Sequence, residues 1–536
     1  MTANERVIEN EPEPYTTVDP EATLIAEGAP AVDLVQGKRL GLIMGALMLA
    51  MFLAALDQTI VSTALPRITS ELNGLNQLAW VVTAYLLTST ASTPIWGKIS
   101  DIYGRKIMLQ AAIVIFLFGS VLAGMATSMS WLIVTRGIQG LGGGGLMVLV
   151  MAVIADVIPP RERGRYVGLF GGVFAVSSIL GPLLGGWFVD TLTWRWIFYI
   201  NVPLGIAALI VIAAVLHIPQ QKINHSVDYL GAVLLVAGVV LGLLLTEWGG
   251  HQYEWLSPQV IGMAIASITL IALFIWRQIK VPEPLVPMSL FKNKVFGISN
   301  VIGFLVGLAM FGAIIYLPIY LQIVQGSSPT TAGLQMIPMM AGLLALSIIS
   351  GRVISRTGRY KVFPIIGMIL SSIGMFMLSR IQVETPYWKI AIAMVILGAG
   401  LGCVMQVLVI AVQNAVKPNE IGVATSGATF FRSIGGTLGT AIFGAIMTGR
   451  LASNIEAALP PDMSGHVDVS AMTNAMSTMA QLPAAIKAIV LEAFSNSIGM
   501  VFFVATFIVA IGIVLAFMLP EVKLRGLQGH AAPPME

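Results

Sequence analysis

Long apolar stretches separated by short polar connections run along nearly the whole chain. About 20 apolar residues, rising 1.5 Å each, carry a helix across the hydrocarbon core of a bilayer. Hydropathy predicts fourteen such helices, at 40–65, 79–96, 107–126, 131–158, 166–189, 197–216, 229–246, 260–279, 295–320, 330–349, 360–378, 388–412, 422–448 and 494–519. A membrane barrel is excluded, because its strands would alternate polar and apolar positions over about ten residues. The first 37 residues break the pattern, with eight acids against one base before residue 34. A polar, acidic segment of this kind is expected to be a solvated tail. One connection is long, residues 449–493, and its Ala, Met and Ser content predicts a short amphipathic surface helix rather than a domain.

Composition agrees with the pattern: of 536 residues, 57% are hydrophobic and 10% charged, against about 25% charged in soluble proteins. An even number of spans places both termini on one side. Of 29 Lys and Arg residues, 21 fall on that side; six (Arg67, Arg195, Arg380, Lys389, Arg450, Lys487) fall on the other, and Arg136 and Arg432 lie within spans. The positive-inside rule then makes both termini cytoplasmic. The tail carries a formal charge near minus seven, so the remainder is near plus ten, which suits anionic lipid headgroups rather than nucleic acid. The first apolar run is too long for the core of a cleaved signal peptide. One cysteine, Cys403, rules out a disulfide framework and a cysteine-based metal site.

The chain also repeats itself. Gly97-Lys98-Ile99-Ser100-Asp101-Ile102-Tyr103-Gly104-Arg105 returns 254 residues later as Gly351-Arg352-Val353-Ile354-Ser355-Arg356-Thr357-Gly358-Arg359. Each copy follows the second span of a six-span half, if the halves are spans 1–6 and 9–14. Duplicated halves are the mark of alternating-access carriers, with the substrate site between them. The organisation expected is a 1–37 tail, a 38–216 six-helix bundle, two inserted helices with linkers at 217–294, a 295–520 six-helix bundle and a 521–536 tail.

No GxxxxGK[ST], HExxH or GxSxG motif occurs, and His217, His225, His251, His466 and His530 lie in loops, tails or span ends. Nucleotide hydrolysis, other enzymatic chemistry and a resident metal or cofactor are therefore not expected. The intramembrane charges remain. Asp57 lies about 17 residues into the first span and nine before Pro66, roughly 13 Å from the outer end, and Arg136 lies at similar depth in the fourth span. Charges at membrane depth are costly unless paired or wetted, which points to proton exchange at Asp57 or to a static pair joining the two helices. Arg432, near the cytoplasmic end of span 13, suits snorkelling, packing or function alike. Asp101, Arg105, Lys106 and Asp156 gather at the cytoplasmic face and suggest a charge latch that changes with conformation. Spans 4 and 5 are dense in glycine, among them Gly140, Gly181 and Gly185 beside Pro182, which lets helices approach and bend.

These segments resemble a known family. GKISDIYGRKIML (97–109) is similar to the loop signature of the major facilitator superfamily, LIVTRGIQGLGGG (132–144) to its helix-4 signature and SSILGPLLGG (177–186) to its antiporter signature. LDQTIVSTALPRI (56–68), WRWIFYINVPLG (194–205) and fourteen spans resemble the drug:proton antiporters of the EmrB/QacA type. The resemblance implies an all-α integral membrane protein of the major facilitator fold: two six-helix bundles plus two inserted helices. It further implies proton coupling at Asp57 and Arg136, a cytoplasmic relay of Asp101, Arg105 and Asp156, conformational roles for Gly97, Gly104, Gly140, Gly181, Pro182 and Gly185, and no enzymatic activity. Ser62, Ser177 and Ser355 depart from the family pattern, and span 10 has no acid, which disfavours dicationic substrates. The function expected is proton-driven export of amphiphilic or lipophilic compounds, monovalent cations among them, by a monomer in a bacterial cytoplasmic membrane. The alternative is export of an endogenous metabolite, siderophore or lipid, and a non-transporting sensor or scaffold is a weaker one. Met51, Phe52, Trp80, Tyr85, Phe174, Phe311 and Tyr316 are the candidate cavity lining.

Overall fold

The computed structural model describes residues 38–72, 78–158, 160–216, 228–249, 253–417, 420–458, 484–522 and 524. The acidic tail, the middle of the 449–493 connection and nearly all of 521–536 lie outside them. Each predicted span is a helix: α1 (Lys38–Glu71), α2 (Leu78–Tyr103), α3 (Arg105–Gly124), α4 (Met129–Val157), α5 (Pro160–Thr191), α6 (Trp196–Val215) and α7 (Tyr229–Trp248). Beyond them lie α8 (Pro258–Lys280), α9 (Lys294–Ile319), α10 (Ile337–Thr357), α11 (Val362–Leu378), α12 (Tyr387–Asn414), α13 (Ile421–Ala458) and α14 (Ala484–Met518). Among the described residues, 11 helices are long and apolar enough to cross a membrane, and α11 is apolar but shorter.

Four features depart from the predicted spans and connections. Helix α1 runs through Pro66 to Glu71, so Asp57 stands about 20 Å from its distal end, deeper than expected. Within α6 the ladder breaks at Ile200, because Pro203 has no N–H for the Tyr199 carbonyl. After α9, which contains Pro318, a π-turn spans Tyr320–Val324, and a short helix Pro329–Gln335 meets α10 at Met336. The 449–493 connection is shorter than predicted, since α13 and α14 continue into it as far as Ala458 and from Ala484.

Packing repeats between the halves. In the first, α1 packs on α5 and α6, α4 on α2 and α3, and α3 on α6; in the second, α9 packs on α13 and α14, α12 on α10 and α11, and α11 on α14. Both copies of the repeated turn place a glycine at positive φ, Gly104 at 94° and Gly358 at 70°, which glycine adopts without penalty, although their ψ values of 142° and 4° differ. The halves meet through α2 on α13 and α5 on α10. The inserted α7 and α8 pack on each other, and α7 touches α2 and α13. Helix α8 turns Ile261, Ile265, Ile268 and Ile279 outward, a surface suited to lipid rather than water.

Hydrogen bonds collect helix ends onto one face, here termed basal. Arg39 Nε donates to the Val215 carbonyl at 3.4 Å, Lys106 Nζ to Ala213 at 2.7 Å, and Tyr360 Oη to Pro520 at 2.8 Å. The start of α1 and the end of α14 share this face. On the opposite, distal face Arg195 pairs with Glu71 at 2.7 Å, and this bond holds the Glu71 carboxyl below the usual carboxylate range.

Candidate functional site

Inside the first half, side chains of α1, α3, α4 and α6 form one buried polar network that also takes in the Val81 carbonyl of α2. Asp57 is 0% and Arg136 1% exposed. Arg136 Nη1 donates to Asp57 Oδ2 at 2.5 Å and to Gln139 Oε1 at 2.7 Å, while Nε donates to the Val81 carbonyl at 3.1 Å. Gln139, one helical turn after Arg136, donates from Nε2 to Asp57 Oδ1 at 2.8 Å. Asn201 reaches the same oxygen at 3.5 Å and Ser120 Oγ at 2.9 Å, and Ser120 donates to the Phe198 carbonyl, beside the break in α6, at 2.9 Å. The guanidinium lies 4.4 Å from the centroid of the Tyr85 ring and 5.9 Å from that of Phe198. Removing one member of such a pair costs about 3–5 kcal/mol, because it strands the other charge in a dry interior. Gln139, Asn201 and Ser120 were missed in the sequence, although Gln139 and Asn201 stand inside the helix-4 and WRWIFYINVPLG segments.

A second charge cluster lies at the basal face. Arg105 forms an ion pair with Asp101 one turn earlier and donates from Nε to Asp156 at 3.0 Å and from Nη1 to Ser100 at 2.5 Å. Asp101 Oδ2 also accepts from the Val423 backbone N–H at 3.2 Å. Val423 lies in the first turn of α13, so a carboxylate of one half caps the positive end of a helix in the other. Beside it, Gln413 of α12 reaches the Met151 carbonyl and accepts from Arg163, each at 3.4 Å. Arg163 is anchored by the Ile158 and Ala155 carbonyls. Lys106 is not brought into the latch; its ammonium caps the end of α6.

The glycines expected to matter sit at close helix approaches. Gly97 lies against Ser426 and Gly422 of α13, Gly140 against Tyr85 and Thr88 of α2, and Gly181 against Thr59 of α1. At Gly97 and Gly140 a Cβ would collide with backbone of the facing helix. Gly185 is buried in α5, whereas the ring of Pro182 lies outside the described side chains. The candidate cavity residues scatter. Met51 is closed in the core of the first half, Phe52 and Phe174 are half-buried against it, and Tyr85 covers the ion pair. Trp80 turns to the inserted pair, with its ring centroid 5.8 Å from that of Trp248. Phe311 abuts Gly436 of α13, and Tyr316 is buried in the second half. Among the described residues no group of His, Cys, Asp and Glu is arranged to hold a metal ion.

Paired six-helix halves with a duplicated turn define a membrane transporter of the facilitator class. The chain belongs to the Major Facilitator Superfamily, whose model matches residues 47–440; this is a family of transporters, not enzymes. It is 39% identical over 509 residues to the uncharacterized MFS-type transporter Rv1877 of Mycobacterium tuberculosis, covering 95% of this chain and 73% of that protein. It is 38% identical over 512 residues to the multidrug transporter protein MdtP of Bacillus subtilis, covering 91% and 94% of the two chains. Multidrug resistance protein 3 of the same organism is 37% identical over 495 residues, covering 91% and 95%. Among solved structures, the proton:xylose symporter XylE matches with a TM-score of 0.59 at 15% identity, covering 91% of this chain and 97% of that one.

Proposed function

We propose that this transporter exports amphiphilic small molecules in exchange for protons, by rocking its two halves about a site between them. The observation that carries the reading is Asp57: a carboxylate wholly excluded from water and matched to a guanidinium and two amide donors in one half. Such a group is stable while ionised and paired, and loses its attraction for Arg136 once protonated. When the distal side is wetted, a proton on Asp57 frees Arg136 from its partner and lets α1 and α4 shift; release of the proton to the basal side restores the pair. The bases concentrated on the basal face support placing that face in the cytoplasm, with both termini, and the relatives support a bacterial cytoplasmic membrane. The Asp101–Arg105–Asp156 cluster with the Val423 N–H is then the bar that holds the cytoplasmic side shut. The cycle needs substrate, protons and bilayer, and neither cofactor nor partner subunit.

Reconstitution into liposomes tests this with a panel of fluorescent amphiphiles of both charges. An imposed pH gradient is expected to accelerate wild-type flux, whereas Asp57→Asn keeps only downhill flux. Equal proton-driven flux in the two proteins would remove Asp57 from the coupling. No flux with any compound would favour an endogenous metabolite, siderophore or lipid as substrate.

A further inference from the structure

Away from the ends of the apolar stretches, three described side chains are charged: Asp57, Arg136 and Arg432. The first two neutralise each other. Arg432 is half-buried about three turns into α13 and makes no ion pair or side-chain hydrogen bond among the described residues. A lone guanidinium at that depth is costly unless something supplies the missing charge.

Its setting shows where that charge would come from. Seven residues earlier on the same face of α13, Thr425 accepts a hydrogen bond from Gln413 of α12 at 3.0 Å. Gln413 is the residue bound to Met151 and Arg163 across the halves. Arg432 therefore stands two turns distal to the basal closure, on the stripe of α13 that Gln413 links to the other half. Four residues further on, Gly436 abuts the ring of Phe311 from α9. Helix α9 also approaches through Gly307, which lies against the Arg432 backbone. Seven residues before Gly307, on the same stripe of α9, Asn300 is 2% exposed and has neither amide atom hydrogen-bonded. Ser299 Oγ beside it is also unpartnered. Buried amides are ordinarily satisfied. Helical side chains lean toward the helix N-terminus, which carries the Arg432 guanidinium down toward the level of Asn300.

We propose that Arg432 and Asn300 form an anion-binding subsite, and that the exported amphiphiles carry an acidic head, a carboxylate, sulfonate or phosphate monoester, beside an apolar body. An acid head supplies the counter-charge to Arg432 and accepts from the Asn300 amide, with its apolar tail against Phe311. A cationic head would meet an unpaired positive charge where Asp57 is already occupied by Arg136. This rests on the transporter reading above and narrows its amphiphilic substrates to those with an acidic head.

Equilibrium binding tests the subsite without any gradient, so it stays readable even if Asp57 proves not to couple protons. The full chain in phosphatidylcholine nanodiscs is titrated calorimetrically with decanoate and with decyltrimethylammonium, which share a chain length and differ in charge, with empty discs subtracted. Wild type is expected to prefer decanoate by about ten- to a hundredfold, the range of one charge-assisted hydrogen-bonded contact. Arg432→Gln should abolish the preference, Arg432→Lys should keep most of it, and Asn300→Ala should weaken decanoate alone. Equal binding of the two probes by wild type, or a preference that survives Arg432→Gln, overturns the proposal. Should Arg432→Gln fail to fold, wild type and Arg432→Lys decide it: a wild type without charge preference is enough to overturn it.

Discussion

At the scale of single residues, Asp57 and Arg136 are held by mutual need. Arg136→Gln leaves a buried carboxylate with only Gln139 and Asn201 against it and is expected to cost about 3–5 kcal/mol. Asp57→Asn with Arg136→Gln removes both charges and should recover most of that loss, which thermal unfolding of the purified protein followed by tryptophan fluorescence would read. A double variant as unstable as the sum of the two singles would show that the residues are not coupled. The sequence made this pair visible because a charge inside an apolar run is rare and costly. Gln139, Asn201 and Ser120 were invisible by the same logic, since neutral polar side chains are ordinary in packed membrane helices and only three-dimensional contact distinguishes a partner from a passenger. Trp80 and Tyr85 illustrate a related limit: hydropathy says that an aromatic is in a span, not which way it turns.

At the scale of elements, the fourteen helices were legible because bilayer thickness imposes a length on apolar runs. Their continuation past the apolar stretch was not, since α1, α13 and α14 keep helical hydrogen bonding after the hydropathy signal ends. The inserted hairpin shows how a polar clasp sets two such elements in register. Asp228 caps α7 by accepting from Gly231 N–H at 3.0 Å, and receives Arg277 Nε at 2.7 Å and Gln278 Nε2 at 2.8 Å from the end of α8. Burial by itself would raise the Asp228 carboxyl, but these donors outweigh it and hold the group below the usual carboxylate range. A carboxylate depressed in the folded state adds stability that is fully present above its unfolded pKa, about 3.9, and is lost as pH falls through the folded value. Hydrogen exchange of residues 229–232, corrected for the intrinsic pH dependence of amide exchange, should therefore show constant protection from pH 7 to about 4 and loss below. Asp228→Asn should lose about tenfold of that protection already at pH 7, the order expected for a charged cap. Equal protection in the variant would mean that the clasp does not hold the hairpin.

At the scale of the molecule, the hydrogen bonds described between the halves cluster at the basal face, through Asp101–Val423, Gln413–Met151 and Arg163–Gln413. In the first copy of the duplicated turn Asp101 reaches the other half, and Ser355 at the matching position of the second copy donates to Gly351. Among the described contacts of the basal closure, Asp101 on the first turn of α13 pairs a carboxylate with a helix terminus. Asp101→Asn keeps an acceptor oxygen but removes the charge that favours the helix terminus and the Arg105 pair, an effect of about 1 kcal/mol at a helix end. That is roughly a fivefold change in the ratio of closed to open basal faces, enough to shift populations and too small to unfold the protein. Spin labels at Ile107 and Val362, exposed at the basal ends of α3 and α11, report the separation of the halves, and Cys403 is buried. Wild type should give one dominant distance by double electron–electron resonance, and Asp101→Asn a second, longer population. A Val423→Pro variant deletes the same hydrogen bond from the donor side, in the first turn of α13, where the N–H has no intrahelical acceptor to lose. It should produce that longer population too, and combining the two substitutions should add little. Additive shifts would mean that Asp101 and the α13 terminus act separately, and an unchanged distribution in both variants would remove this contact from the control of the basal opening.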